Sequence, residues 1–363
     1  MPLPIEKHPP NLDGLEVRDL APTEAEAWVR FFAGGSAPSA AEMARFRWQY
    51  LDLPEDHLWI KVAEPTDPSA RTADIFAASY CMAPRRFTVD GEPLQGALSL
   101  DTMTGENYRK RGLFVHLAIE AYRTATEQGL QFVYGSPNDN SLPGFLKYLG
   151  WVKLPEPPVL ATARPLRWGL GRLGLGRSRR NRRIEQGPEG ARTVEIGATD
   201  HIGERFDELW NLAKGQLRIA AVRDAAFWKW RYLQPSAQAR IFAVTDDRGA
   251  LIGAIGTCKV DKREGTRGFI MDALFAPGWP GVPRWALRRV CAELAADGCR
   301  AIVAVVTPGN PWGDAYRSAR FFAIPDRYRP TFRLAVASFR ERADALVSRP
   351  ADWYLTYADS DVL

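Results

Sequence analysis

The chain has 363 residues, 46% of them hydrophobic and 25% charged, which is enough for two domains with separate cores. No stretch approaches the roughly 20 apolar residues of a membrane-spanning helix, and the first residues lack a secretory pattern, so neither feature is expected. The net charge of +5 depends on eight arginines between Arg164 and Arg183. Without them the chain is net negative, which argues against nucleic-acid binding by either domain.

The cysteines and histidines are scattered and show no metal-binding pattern. No C-x-x-C motif joins Cys81, Cys258, Cys291 and Cys299, so we expect reduced thiols in a cytoplasmic protein. No His, Cys and carboxylate cluster has ligand spacing, and we therefore expect no metal.

The first half reads as a helix, alternating strands, and then strand, turn, helix, strand and helix. Residues 75–89 and 97–104 favour strands because they are rich in β-branched and aromatic residues. Residues 112–128 predict a helix with Leu113 and Leu117 on its apolar face, ended by Gly129. A short strand and a short helix, residues 142–149, follow. This order predicts an α+β fold with a mixed sheet flanked by helices.

A segment rich in glycine and arginine, residues 164–190, divides the chain. We predict domains at residues 1–163 and 191–363, with this segment as a solvated linker. Two other interpretations remain open. Apolar residues at near-helical spacing would form a basic amphipathic element that contacts an anionic lipid surface or an acidic partner; they are Leu166, Trp168, Leu170 and Leu173. The arginines would alternatively contact RNA or polyphosphate.

The second half repeats features of the first in the same order. The segment 46–51 (FRWQYL) corresponds to 228–233 (WKWRYL), and each precedes a strand pattern. The segment 98–104 (LSLDTMT) corresponds to 269–275 (FIMDALF), which aligns Asp101 with Asp272. These echoes predict a tandem duplication of one fold.

The turn before the long helix of the first half reads Tyr-Arg-Lys-Arg-Gly-Leu-Phe, residues 108–114. A glycine turn that opens a helix leaves several backbone N–H groups without partners, and the helix dipole adds positive potential. Phosphate oxygens bind at such a position. The three consecutive basic side chains add attraction for a multiply charged phosphate ligand.

With its surroundings, this turn resembles the Q/R-x-x-G-x-G/A loop of the GNAT superfamily of N-acetyltransferases. Arg109 and Gly112 occupy the fixed positions, and a helix ending in Leu-Gly-Trp follows. The resemblance covers residues 63–151 well and residues 194–322 as a degenerate second copy. It implies an acyl-CoA site, with acetyl-CoA or another acyl-CoA as co-substrate. The residues implied in binding are Met103, Thr104, Arg109, Lys110, Arg111, Gly112, Leu113, Phe114, Asn138 and Ser141.

This sequence departs from the family pattern at several positions. Phe114 replaces the final Gly or Ala of the loop, and Leu146 stands where many members have a tyrosine acting as general acid. Tyr148 is the nearby candidate substitute, with ordinary packing as the alternative. In the second copy, prolines replace the R-x-x-G pattern, so we expect no CoA site there. Tyr316 lies near the position of the acid in that copy, and we favour packing as its role.

Acyl transfer to an amine requires a deprotonated nitrogen and a polarised thioester carbonyl. The resemblance implies that a backbone N–H near Met103 and Thr104 holds that carbonyl. Asp101 is the candidate base or ammonium ligand; the alternative is a structural aspartate, since Asp272 persists in the second copy. Glu106 is interpreted as a solvated turn residue.

Together these features predict an N-acyltransferase, with acetyl transfer expected, acting on the amine of a small metabolite such as an amino sugar or an amino-acid-like compound. Two alternatives remain open. One is a non-catalytic acyl-CoA sensor or scaffold, and the other is a membrane-proximal cell-wall or peptide acyltransferase. The expected partners are the amine acceptor and, through residues 164–183, a weak anionic surface.

Overall fold

The computed structural model describes residues 3–4, 9–55, 57–67, 75–163, 185–186, 193–233, 238–263, 265–325, 327 and 332–360. The chain forms two compact units, residues 1–156 with 332–350 and residues 157–331 with 351–363. Apart from residues 185–186, the predicted linker lies outside the described residues, as does the amphipathic pattern around Trp168.

The first unit contains a sheet with the strand order β1-β2-β3-β4-β5-β16-β6. Neighbouring strands are antiparallel except β4 and β5, which are parallel. Its strands are β1 Leu15–Asp19, β2 Trp59–Pro65, β3 Ala78–Val89, β4 Glu92–Thr104, β5 Phe132–Gly135, β6 Val152–Lys153 and β16 Ala335–Ser338.

The helices of this unit follow from local signals in the sequence. Ser39 and Glu42 form a capping box at the second helix. The third helix begins after Gly112, and its buried residues, including Leu117 and Tyr122, pack on the sheet. The helices are α1 Ala25–Phe32, α2 Ala40–Phe46, α3 Leu113–Glu127, α4 Leu142–Tyr148 and α9 Ala345–Ser348, with a π-helical turn at Arg47–Leu51.

The second unit contains a sheet with the strand order β15-β7-β14-β13-β12-β11-β9-β8. The pair β13 and β14 is parallel, like β4 and β5 in the first unit. The strands are β7 Val159–Ala163, β8 Glu185–Gln186, β9 Thr193–Thr199, β11 Ala239–Thr245, β12 Leu251–Lys262, β13 Gly265–Phe275, β14 Ala301–Val305 and β15 Phe322–Ala323.

The described residues of this unit also form two short strands and four α-helices. The strands β10 Ile219–Ala221 and β17 Trp353–Tyr354 pair in parallel. The helices are α5 Glu204–Ala213, α6 Ala225–Tyr232, α7 Val282–Ala296 and α8 Gly313–Ser318. None of the helices in the described ranges has the length and apolar character of a transmembrane span.

The two halves of the chain exchange one strand each. β7 follows the first half in sequence but pairs with β14 in the second sheet, and β16 belongs to the second half but pairs with β5 in the first. The predicted division at residue 163 therefore differs from the structure, in which residues 157–163 belong to the second unit and residues 332–350 to the first.

Each unit repeats the same order of elements around its sheet. In the first unit the path β1-β2-β3-β4-β5 is followed by the exchanged strand β16, and in the second unit β9-β11-β12-β13-β14 is followed by β7. A helix of 15 residues joins the two parallel strands in both units. The α+β class with mixed, mostly antiparallel sheets is confirmed, and the repeated order is what a duplicated fold predicts.

Candidate functional site

The two parallel strands of the first sheet separate at a defined point. β4 and β5 pair from Gly96 with Phe132 to Ser99 with Gly135, and there β5 ends. β4 continues to Thr104 while remaining paired with β3 on its other edge. Because successive N–H groups of a strand point to opposite edges, residues 100–104, including the predicted Met103 and Thr104, present backbone polar groups to the opening beside β5.

The predicted turn lies at the far end of β4 and opens α3. Gly112 is the residue before the helix and has a left-handed backbone, φ +80°. His116 N–H donates to the Gly112 carbonyl, so the N–H groups of Leu113, Phe114 and Val115 occupy the first helical turn, where no intrahelical acceptor exists. N–H groups in this position, together with the helix dipole, can bind phosphate oxygens.

The three basic side chains of the turn have different surroundings. Arg109 is exposed and forms an ion pair with Glu106 at 3.4 Å, and Lys110 is also exposed, with a left-handed backbone of φ +65°. Arg111 instead donates to the Asn11 and Asp13 carbonyls at 3.0 and 2.6 Å. Arg109 and Lys110 are therefore the side chains placed to attract phosphate, while Arg111 holds the chain that precedes β1.

The hydrophobic residues of the turn support the start of the helix. Leu113 is buried in the core of the unit. The Phe114 ring packs edge-on against Phe145 of α4 at 5.0 Å. A Cβ on Gly144 would lie 2.9 Å from the Phe114 ring, so α4 packs tightly on this side chain. Phe114, which replaces the usual Gly or Ala at the end of the loop, thus packs α3 against α4.

Asn138 and Ser141 form the turn between β5 and α4. The Asn138 side-chain oxygen accepts the N–H groups of Asn140 and Ser141, each at 3.0 Å. Arg333, which precedes β16, forms an ion pair with Asp139 at 2.5 Å. The Asn138 side-chain oxygen is therefore used within the turn. The ion pair with Arg333 fixes this turn beside the opening.

Asp101 lies at a β-bulge on the opposite side of β4 from α3. The register passes from Cys81 opposite Leu100 to Ser79 opposite Met103, and Asp101 has φ +41°. Its carboxylate accepts hydrogen bonds from three side chains, Tyr50 OH at 2.9 Å, Gln49 Nε2 at 3.3 Å and Arg45 Nη2 at 3.4 Å. Its side chain remains 22% exposed, so the carboxylate is both fixed in position and accessible.

The aromatic residues beside Asp101 pack against one another. The Tyr50 ring lies 5.4 Å from Trp28 and 5.2 Å from Phe46, and burial raises the pKa of its hydroxyl well above the ordinary value. The corresponding Trp230 and Tyr232 are also buried. The shared motif is therefore a packing element, which in the first unit also supplies the Tyr50 hydrogen bond to Asp101.

The structure places Tyr148 and Leu146 at the end of α4. Tyr148 is half-buried, with the Lys147 ammonium 5.0 Å from the centre of its ring. Leu146 is 38% exposed. The position that carries an acid in related sequences is therefore an apolar surface residue.

A chain of polar side chains that the sequence analysis missed lies under the point where the strands separate. Ser99 Oγ donates to Tyr80 OH at 3.0 Å, the Tyr80 and Tyr122 hydroxyls are 2.7 Å apart, and Trp151 Nε1 donates to Tyr122 OH at 2.9 Å. Tyr80, Tyr122 and Trp151 are buried, whereas Ser99 is half-buried. No sequence spacing relates these four residues, because they lie on separate elements.

In the second unit, residues 353–355 occupy the position that corresponds to the opening. Tyr354 donates to the Asp272 carboxylate at 2.5 Å and to the Ala273 carbonyl at 2.7 Å, both on β13. Thr307, which follows β14, bonds to the Trp353 carbonyl and accepts the Leu355 N–H. Residues 353–355 therefore bridge the two parallel strands at the position where β4 and β5 are open.

A buried ionic cluster closes the same region. Arg223 donates to Asp272 at 2.5 Å and to both carboxylate oxygens of Asp359 at 2.7 Å, and all three side chains are buried. Gly281 before α7 is left-handed like Gly112, but Pro283 follows it in the first turn. Tyr316 is buried against Phe321, in agreement with the packing role that we favoured.

Comparison with solved structures identifies this architecture. A probable N-acyltransferase from Enterococcus faecalis V583, described as a conserved protein of unknown function, matches 90% of this chain and 72% of its own at 10% identity and TM-score 0.60. A GCN5-related N-acetyltransferase from Anabaena variabilis matches 90% and 73% at 12% identity and TM-score 0.60. The chain has the GNAT fold.

A third solved structure with a similar fold is that of an N-myristoyltransferase. Saccharomyces cerevisiae N-myristoyltransferase with bound myristoyl-CoA matches 92% of this chain and 84% of its own at 10% identity and TM-score 0.54. No protein-family model matches the sequence, and no curated protein matches it significantly. Identities of 10–12% show the fold and do not carry an activity over to this chain.

Proposed function

We propose that the chain is an N-acyltransferase that binds acyl-CoA in the opening between β4 and β5. The observation that carries this proposal is the separation of the two strands after Ser99 and Gly135, with the turn at Gly112 at the end of the opening. Phosphate oxygens would bind the first N–H groups of α3 beside Arg109 and Lys110. The pantetheine arm would then run along residues 100–104, with acetyl-CoA as the expected donor.

Asp101 supports an amine acceptor on the face of the sheet away from α3. A carboxylate that is held by three donors and still accessible can bind an ammonium group and take up the proton that its nitrogen must lose. No nucleophilic side chain is needed, since the amine attacks the thioester directly. The expected acceptors are small metabolites such as amino sugars or amino-acid-like compounds.

The first test combines calorimetric titration of acetyl-CoA with an assay of thiol release against a panel of amines. Binding followed by thiol release with at least one amine supports the proposal. Binding without release on any amine would favour the acyl-CoA sensor, which agrees with the leucine at position 146. Release that requires anionic vesicles would favour a membrane-proximal acyltransferase, and the absence of CoA binding would overturn all three.

A further inference from the structure

A chain of hydrogen bonds joins the side chains of Ser99, Tyr80, Tyr122 and Trp151. These side chains have one polar hydrogen more than the hydrogen bonds among them use. The indole N–H and the three hydroxyls supply four polar hydrogens, and three hydrogen bonds join the four side chains. The Trp151 indole can only donate, so it fixes the direction at the buried end. If Tyr122 and Tyr80 each donate toward Ser99, the Ser99 hydrogen is available to an acceptor outside the chain.

This arrangement differs from the observed one only in the rotation of hydroxyl hydrogens. In the structure Ser99 donates inward to Tyr80. Hydroxyl hydrogens rotate to suit their partners, so an acceptor beside Ser99 would turn all of them in one direction. Hydrogen bonds in such a chain polarise one another in a low-dielectric interior, which makes Ser99 a stronger donor than an isolated serine.

The position of Ser99 determines which part of a ligand it meets. It is the last residue of β4 that pairs with β5. Residues 100–104 extend about 17 Å from it toward the turn at Gly112, taking the usual rise of a strand. A ligand that binds its phosphates at the turn and lays its arm along β4 therefore brings its far end to Ser99. In acyl-CoA that end carries the thioester, which this placement puts beside Ser99 and Asp101. The backbone groups of Met103 and Thr104 would then contact the pantetheine arm rather than the thioester carbonyl.

We propose that Ser99 donates a hydrogen bond to the sulfur of the bound acyl-CoA, in place of the tyrosine that Leu146 replaces. This role rests on the proposed function. The C–N bond forms, the C–S bond breaks, and its electron pair stays on sulfur. The Ser99 hydrogen bonds to that pair without leaving its oxygen, and the proton lost by the nitrogen passes to Asp101 and then to solvent.

The hydroxyls and the thiol around Ser99 stay neutral in this scheme, whereas Asp101 is the carboxylate that takes up the proton. Tyr80 and Tyr122 face it from β3 and α3, and Cys81 and Asp101 lie on the opposite face of the sheet. Burial raises the pKa of Tyr80, Tyr122 and Cys81 above their ordinary values. The chain therefore stays protonated at neutral pH and acts by orienting hydrogens.

The deciding experiment measures the ionisation of the thiol of bound CoA by its ultraviolet thiolate absorbance. The wild-type protein is compared with Ser99→Ala and with a control, Thr88→Val. The control removes a buried hydroxyl on β3, away from the hydrogen-bonded side chains. A hydrogen bond to a charged group predicts about tenfold or more thiolate at a given pH in wild type than in Ser99→Ala. Equal ionisation in these two proteins would overturn the role of Ser99.

A second measurement separates this inference from the proposed function. With a reactive amine, Ser99→Ala should lower kcat about tenfold or more with little change in KM, and Tyr122→Phe should cause a smaller decrease. Wild-type turnover with unchanged kcat in both variants would overturn the role of Ser99 and leave the proposed function standing. If the wild-type protein binds CoA but acylates no amine, the proposed function fails. The thiol ionisation then still shows whether Ser99 donates a hydrogen bond to the sulfur. Without CoA binding both fail.

Discussion

Asp101 lies in the bulge of β4 and Asp272 directly after the bulge of β13, and the two carboxylates have different surroundings. Asp101 accepts hydrogen bonds from the buried Gln49 and Tyr50 and from the exposed Arg45, and keeps 22% of its side chain accessible. Asp272 is fully buried with Arg223 and Tyr354. Asp101 thus faces an open site while Asp272 closes the equivalent region, which leads to different predictions for the two sites.

Asp101→Asn should lower kcat/KM for the amine about 100-fold with little effect on the KM for acyl-CoA, because the amide keeps the shape but cannot take up a proton. Steady-state kinetics with both substrates varied checks this. Asp52→Asn, at an exposed position after the π-helical turn, is the control and should be unchanged. A near-normal rate for Asp101→Asn would make Asp101 a purely structural residue.

Arg223→Met should lower the free energy of unfolding of the second unit by about 3–5 kcal/mol, because it leaves Asp272 and Asp359 buried without their cation. Arg240→Gln is the matched control, since it removes a partly exposed ion pair with Asp297 and should cost less than about 1 kcal/mol. Urea denaturation measures both. Similar losses in the two variants would contradict the buried cluster.

Gly112→Ala should weaken acyl-CoA binding about tenfold or more. Its backbone is left-handed, which costs a residue with a Cβ about 1–2 kcal/mol. The new Cβ would also lie 3.3 Å from Pro10, so Pro10 or the turn must move slightly to make room for it. Gly129→Ala, with φ +99° at the other end of α3 and no atom within 4 Å, carries the same strain away from the site. Calorimetry should show unchanged affinity there; equal weakening in both variants would contradict the binding role of the turn.

Lys110→Asn should lower the affinity for CoA severalfold and reduce its dependence on salt, because it removes an exposed cation beside the phosphate position. Asparagine tolerates the left-handed backbone of this position, so the turn keeps its shape. Titrations between low and high ionic strength test this. An unchanged salt dependence would place the phosphates elsewhere.

The folded protein should lose stability above pH 10. Tyrosine in the unfolded chain loses its proton near pH 10, whereas burial raises the pKa of Tyr80, Tyr122 and Tyr354 well above that and of Tyr357 to about 12. Their contribution is complete below pH 10 and decreases as the pH rises beyond it. Denaturation at pH 8 to 11 should show this decrease, with a shallower slope in Tyr122→Phe; a constant free energy of unfolding would contradict it.

Local patterns were sufficient to predict the elements around the site. The helix predicted at residues 112–128 is observed at Leu113–Glu127, because an apolar face and a glycine at each end define it. The helix predicted at residues 142–149 ends one residue earlier, and the strand predicted at 97–104 begins five residues earlier, at Glu92. Turns of this kind are encoded within a few residues, so the sequence predicts where the helix begins.

The exchanged strands and the hydroxyl chain were not predictable in the same way. β16 is four residues long, and nothing in its composition indicates which sheet it joins. Tyr80 and Tyr122 are separated by 42 residues and meet only because α3 packs on β3. The cluster of Arg223, Asp272 and Asp359 likewise depends on where the C-terminal segment folds. These features arise from tertiary packing and leave no periodic pattern.

The most direct test of the central claim is the stoichiometry of acetyl-CoA binding measured by isothermal titration calorimetry of the full chain. The first unit has an opening between its parallel strands, whereas residues 353–355 bridge the equivalent strands of the second. We therefore expect one acetyl-CoA per chain, with weaker binding in Gly112→Ala. Two sites per chain, or no binding to the wild-type protein, would contradict the account.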